Sequence, residues 1–524
     1  MIAAELLLLL LVVVAVMVTV SRLIRVPYPI LLLVGGLALG LVPAVPHIEL
    51  DPEIVFLLIL PPLLYVTAFL TPVRDFRANL KNIASLAVGL VIASAVAVAV
   101  VATALVPGIT LPVALALGAI VSPPDAVAAA AIAERLAVPR RLVSILEGES
   151  LVNDATALTL YRGALAAATA VAISPLASVG TFFGAVVGGI AVGVAVGWIM
   201  VQVRTRLTDV PVEITISLLT PYAAYLPAEL LGVSGVLAAV SCGLYVGRRG
   251  SRIMGSDVRL AGRAVWEMLV FLLNGLVFIL IGVQISSIAR AMDRATLFDL
   301  AGIGLAVSLT LILVRAVWLL GMTLRPRLLG RSVQQMRLRL AEALVLSWAG
   351  MRGVVSLAAA LALPIALPSG ASFPARDALI VVTFTVILVT LVGQGLTLPA
   401  VIKAVKLGGG DNAAQHEEAH ARGELIGEAT RRIGELYVVW PGHRELLDQL
   451  MTTYRHRSEH ADLHHEEPGS DAEQELVEHR QIRRSVIDAQ REALQRMRDR
   501  GAIDDDALRS IERDLDLEEV RMEA

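Results

Sequence analysis

Residues 111–133, LPVALALGAIVSPPDAVAAAAIA, decide the fold. An apolar run of this length crosses the roughly 30 Å hydrocarbon core of a bilayer as a helix. This one is interrupted midway by Ser122, Pro123, Pro124 and Asp125. Adjacent prolines remove two backbone donors and free upstream carbonyls, so the run is expected to be two half-helices joined by unwound chain. Such backbone is tolerated at membrane depth only where it lines a cavity or is buried in protein. Asp125 falls at the N-terminal end of the second half, where the helix dipole favours an ionised carboxylate. A kinked packing helix with a capping aspartate is the alternative.

Similar runs lie on both sides. The chain has 524 residues, 56% of them hydrophobic and 17% charged, with a mean hydropathy of +0.74. That balance lies outside the range of soluble domains and makes the bilayer the solvent. Apolar runs at 2–20, 28–45, 53–70, 83–106, 111–133, 142–171, 176–202, 212–228, 231–247, 265–289, 297–320, 341–368 and 378–402 predict an all-α polytopic protein of about thirteen spans. The first run lacks the basic start and cleavage site of a secretory signal. Loops after odd-numbered spans gather arginine and lysine, as in Arg74, Arg77 and Lys81, or Arg135, Arg140 and Arg141. Loops after even-numbered spans are mostly short, neutral or acidic. This alternation predicts an N-terminus outside and a C-terminus in the cytoplasm.

At about residue 407 the composition changes. Residues 408–524 carry 28 acids against 16 arginines and eight of the nine histidines, and predict a separate helical cytoplasmic region following a 1–407 membrane domain. Cys242 is the only cysteine, which excludes a disulfide framework and a thiolate metal cluster. The spans hold no Ser/His or metal dyad for hydrolysis. No enzymatic activity, cofactor or nucleic-acid partner is expected.

A charge at membrane depth costs at least about 2.5 kcal/mol, so each one needs a reason. The densest group is EGESLVND, residues 147–154, in the sixth span. Ser150, Asn153 and Asp154 share one helix face by their i, i+3, i+4 spacing, with Glu147 a turn earlier. A carboxylate beside a hydroxyl and an amide oxygen is a hard oxygen site for a small cation such as Na+. Burial disfavours its bare ionised form, so a proton can take the cation's place. A neutral acid, or a salt-bridge lock between helices, is the alternative. WAGMRGVVS, residues 348–356, sets Arg352 between Gly350 and Gly353 in the twelfth span, which suggests a second discontinuity. Its permanent charge needs an anion. Glu149 is the candidate, with Arg315 of the eleventh span competing for it. Broken helices in the fifth and twelfth spans run in opposite directions, as an inverted repeat of spans 1–6 on spans 8–13 requires.

Through LPPLLY (60–65), SPPDAV (122–127), EGESLVND (147–154), WEMLVFLLNGLVFILIG (266–282) and GMRGVV (350–355), in this order, the chain resembles the sodium/proton antiporters of the first cation:proton antiporter family, over about residues 5–405. The resemblance implies a homodimer with dimer-forming and mobile core subdomains, and broken fifth and twelfth helices that cross. It implies that Asp154 carries Na+ or H+, supported by Asn153 and Ser150, and that Glu149 pairs with Arg352. Asn153 before Asp154 implies electroneutral exchange, one cation for one proton. The sequence departs from the family pattern at Pro124, where many relatives have threonine, leaving only a backbone carbonyl as a ligand. It departs again at Val66, where some carry an acid. Sodium/proton exchange in a bacterial plasma membrane, serving pH homeostasis, is therefore expected, with K+ or Li+ as alternative cations and a cation channel or membrane sensor as rival classes.

Overall fold

The computed structural model describes residues 2–24, 26–42, 55–168, 175–207, 209–324, 333–366, 373–407, 412–463, 471–500, 508, 511–512 and 514–519. Hydrocarbon offers a backbone no partners, so a spanning segment must satisfy its own N–H and C=O groups. Accordingly the ordered elements are helices, and no β-strand forms among the described residues. Two compact units arise, Met1–Gly410 and Asp411–Ala524.

The first unit runs α1 (Ile2–Ile24), α2 (Tyr28–Gly40), α3 (Val55–Leu70), α4 (Leu80–Leu105), α5 (Leu111–Val121), α6 (Ala126–Arg135) and α7 (Arg140–Ala168). It continues with α8 (Pro175–Arg204), α9 (Val210–Leu230), α10 (Gly235–Ile253), α11 (Ser256–Ala291), α12 (Arg294–Leu324), α13 (Val333–Trp348), α14 (Val354–Leu361) and α15 (Arg376–Ala404). Six segments among the described residues are long and apolar enough to cross a membrane: α4, the α5–α6 stretch, Phe183–Arg204 of α8, Ser256–Ser286 of α11, α12 and α15. Parts of α1, α2 and α3 form shorter apolar helices. On α12, Leu305, Leu309, Leu313 and Val317 recur every fourth residue and are all more than half exposed. That stripe suits lipid rather than water.

The helices pack in two groups. α4 to α7 gather with α12 to α15, whereas α1 to α3 gather with α8 to α11. In the second group α2 lies along α11 with its backbone almost touching. A Cβ on Gly36 would overlap the Ile279 carbonyl, and one on Gly282 would overlap the Leu33 carbonyl. Small residues allow this approach, which replaces the hydrophobic driving force that lipid cannot supply.

Both expected discontinuities are present. The fifth run is split between α5 and α6 by residues 122–125, and the twelfth between α13 and α14 by residues 349–353. The twelfth run was expected to stay helical to 368. Instead α14 stops at Leu361, and Arg376 donates to the Leu361 and Leu363 carbonyls at 3.2 and 3.0 Å, satisfying the groups that the short helix leaves free. The second unit holds α16 (Asn412–Val439), α17 (Arg444–Leu463) and α18 (Asp471–Asp499), polar helices laced with pairs such as Arg432–Glu435. His464 and His465 lie outside the described residues.

Candidate functional site

The two interrupted helices meet at their breaks. The Asp125 N–H donates to the Met351 carbonyl at 2.7 Å, joining one break to the other. Its carboxylate accepts from the Val127 N–H at 2.9 Å, in the first turn of α6, and also lies against Gly353 at the start of α14, next to the Val354 N–H. One aspartate therefore stands at two helix N-termini. Gly353 has no space for a side chain, because a Cβ there would overlap that carboxylate.

Arg352 serves the opposite poles. Its Nε donates to the carbonyl of Val121, the last residue of α5, at 3.1 Å, and Nη1 donates to the Gly350 carbonyl just past α13. Its backbone N–H donates to Thr390 Oγ1 of α15 at 3.1 Å. Anions at helix N-termini and cations at C-termini offset the helix dipoles. Two side chains thus serve four half-helix ends.

The expected Glu149–Arg352 pair does not form. Glu149, 1% exposed, is held by Arg315 in a two-pronged pair, Nη1 to Oε1 at 2.5 Å and Nη2 to Oε2 at 2.8 Å. Arg315 Nε donates to the Leu346 carbonyl at 2.8 Å. A guanidinium fork matches a carboxylate in this way. The donors of Arg352 are drawn instead to carbonyls freed by the breaks, and sequence spacing does not show where those carbonyls point.

Asp154 and Asn153 lie on α7 facing the α5–α6 break, 6% and 0% exposed. Asn153 Nδ2 donates to the Pro124 carbonyl at 2.7 Å, so one lone pair of that carbonyl is taken and one remains. The Asn153 Oδ1, fully buried, has no hydrogen-bond partner among the described residues. Ser150 sits half-buried one turn before Asp154. Among the described residues no side chain donates to the Asp154 carboxylate, and the charged group that acts on it is Asp125. Two carboxylates and an orphaned amide oxygen thus share a buried space with no cation of their own. A buried acceptor without a donor is costly and asks for an explanation. A bound cation or proton is a sufficient one.

Two neighbours of the site were not singled out by sequence. Tyr28 of α2 and Asn274 of α11 lie near Asp125, so the second helix group contributes polar atoms to the space beside the crossover. Away from the site, Arg204 is 2% exposed and pairs with the buried Glu213 at 3.1 Å. An acid inside the eighth apolar run was the available signal that a partner had to exist.

Comparison with known proteins supports the fold and the family. The structure shares its fold with the sodium proton antiporter MjNhaP1 of Methanocaldococcus jannaschii, with a TM-score of 0.62 at 19% identity, over 78% of this chain and 100% of that one. A protein of Mycobacterium tuberculosis named as an uncharacterised Na+/H+ exchanger is 37% identical over 515 residues, 95% of this chain and 92% of its own. A sodium, potassium, lithium and rubidium/H+ antiporter of Bacillus subtilis is 32% identical over 388 residues, 71% of this chain and 57% of its own. The family model described as sodium/hydrogen exchanger, transmembrane, matches residues 8–404. With its paired helix breaks, its buried unpaired carboxylate and this match, the chain belongs to the sodium/hydrogen exchanger family of multi-pass membrane transporters.

Proposed function

We propose that the protein exchanges Na+ for H+ one for one, with Asp154 as the group for which both ions compete. The observation that carries this is the charge at the crossover. Arg315 and Arg352 stand against Glu149, Asp125 and Asp154, which leaves a charge of minus one when all five groups are ionised. One proton or one monovalent cation neutralises it, whereas none or two leaves a net charge in a low-dielectric interior. Both loaded states are then neutral, and the exchange is electroneutral. The cation is held by the Asp154 carboxylate, the free Asn153 Oδ1 and Ser150, with Asp125 nearby and the remaining Pro124 lone pair as a further acceptor.

Alternating access follows if α4 to α7 and α12 to α15 move as a core against the other group. The pairing of breaks in the fifth and twelfth spans supports an inverted repeat within a thirteen-span fold. We place the N-terminus outside, the Asp411–Ala524 unit in the cytoplasm of a bacterium, and the protein as a homodimer through the second helix group.

The test is Asp154→Asn in proteoliposomes. Sodium-driven proton release is expected to vanish while elution and helix content stay those of the parent. Surviving exchange refutes the assignment. Stoichiometry is tested separately, because an imposed membrane potential should leave the rate unchanged.

A second reading is a broader cation range including K+ and Li+. The cation range named for the Bacillus subtilis relative favours it. So does the apolar Val66, where an acid would have supplied another fixed ligand.

A further inference from the structure

The core group carries a groove that ion exchange does not use. Near its start α4 widens into a π-helical stretch, Ser85–Leu90, and the end of α12 lies against it. Between them is a cavity of about 420 Å³ lined chiefly by Ser85, Leu313, Val317, Trp318, Gly321 and Met322. Its wall is apolar except at one point, where Trp318 Nε1 donates to Ser85 Oγ at 3.2 Å. The groove opens on the lipid-facing side, since Leu313 and Val317 are 54% and 69% exposed. A Cβ on Gly321 would meet nothing within 4 Å.

Cations precede this groove along the chain, at the start of α4. Lys81 lies one turn before Ser85 on the same helix face and is exposed. Arg74 and Arg77 are exposed on the adjoining short helix Val73–Ala78, which also carries Asp75. None of the three cations makes an ion pair among the described residues. Arg141, by contrast, bonds Asn79 beside them and pairs with Glu342 at 3.5 Å. Unpaired cations just ahead of an apolar groove, with a tryptophan and a hydroxyl between, complement an amphiphile with an anionic head, a polar linker and an alkyl chain.

We propose that this groove binds one anionic phospholipid, with its phosphate over Lys81 and Arg77 and an acyl chain along Trp318 and Gly321. Both walls belong to the core group. The lipid would therefore travel with the part of the protein that moves under the proposed exchange, but its binding does not depend on that exchange.

The test is retention of lipid by the full chain, measured by native mass spectrometry after extraction from vesicles of phosphatidylcholine alone or mixed with phosphatidylglycerol. One phosphatidylglycerol per chain is expected to remain, with little phosphatidylcholine. Lys81→Glu should lower retention about fivefold or more, since the attraction is carried by individual charges. Gly321→Trp should lower it by filling the groove. If the tryptophan variant does not fold, the surface change at Lys81 still decides. Asp154→Asn should retain lipid as the parent does, which separates this proposal from the transport assignment. Equal retention of the two lipids, equal retention by Lys81→Glu and the parent, or displacement of the lipid by inorganic phosphate would each overturn it.

Discussion

Two buried ionic sites in the membrane unit make opposite use of charge. In the second helix group Arg204 Nη1 has no partner among the described residues, but Arg204 and Glu213, 2% and 4% exposed, pair across the turn between α8 and α9 through Nε and Nη2 on one carboxylate oxygen. In the core, Glu149 and Arg315 also pair, but Asp154, a turn and a half along α7 from Glu149, has no cation of its own among the described residues. A closed pair fixes helices in place, and its charge is unavailable to anything else. An open carboxylate is held by the fold against its desolvation cost and is relieved only by an ion that can come and go. Burial is common to both sites. Under the proposed exchange, the missing partner is what separates a working charge from a locked one.

The largest effect should come from breaking the core pair. Glu149→Gln leaves Arg315 buried without its anion, which costs about 3–5 kcal/mol by analogy with other buried pairs. It also makes the crossover neutral before any ion binds. Both a lower thermal midpoint in detergent and a loss of exchange are expected. A stable, active variant would show that Arg315 does not need Glu149.

Glu213→Gln should destabilise the second group by a similar amount, yet exchange per folded molecule should persist, because that pair touches no ion. Replacing both partners, Arg204→Met with Glu213→Leu, should recover most of the stability, since well-packed apolar residues often substitute for a buried pair. Lost exchange in the well-folded double variant would contradict the division between locking and working charges.

The smallest effect belongs to Arg162 and Glu229, which join the far end of α7 to α9 at 3.0 Å, with side chains 58% and 30% exposed. Screening leaves such a pair worth about 0.2–1 kcal/mol. Arg162→Ala should leave the thermal midpoint nearly unchanged. It should raise the labelling of a cysteine placed beside Glu229, because the pair bridges the two helix groups that move against each other under the proposed alternating access. Unchanged labelling would mean that it does not restrain that motion.

Much of this was legible in the chain. Lipid forces helices, and apolar runs of fixed length announce them, so the all-helical membrane fold and both breaks follow from local composition. The shared face of Ser150, Asn153 and Asp154 follows from 3.6 residues per turn. Partners were harder to read. Every carboxylate within reach attracts a guanidinium equally on paper, so Glu149 could be offered to Arg352 or to Arg315. Only the fold shows that Arg315 meets it fork to fork, while Arg352 is taken by the Val121 and Gly350 carbonyls.

The same division runs through the rest of the molecule. The sequence by itself determined that the protein lives in a membrane, that its fifth and twelfth helices are interrupted, and that Asp154 is a charge in need of a reason. Tertiary structure alone decided that Asp125 stands at the start of both second half-helices, that Asn153 spends its amide nitrogen on Pro124 and keeps its oxygen free, and that Tyr28 reaches the crossover from the other helix group. The physical reason is range. Periodicity and burial act within one helix and are written in neighbouring residues, whereas hydrogen bonds and ion pairs between helices depend on where distant backbones cross.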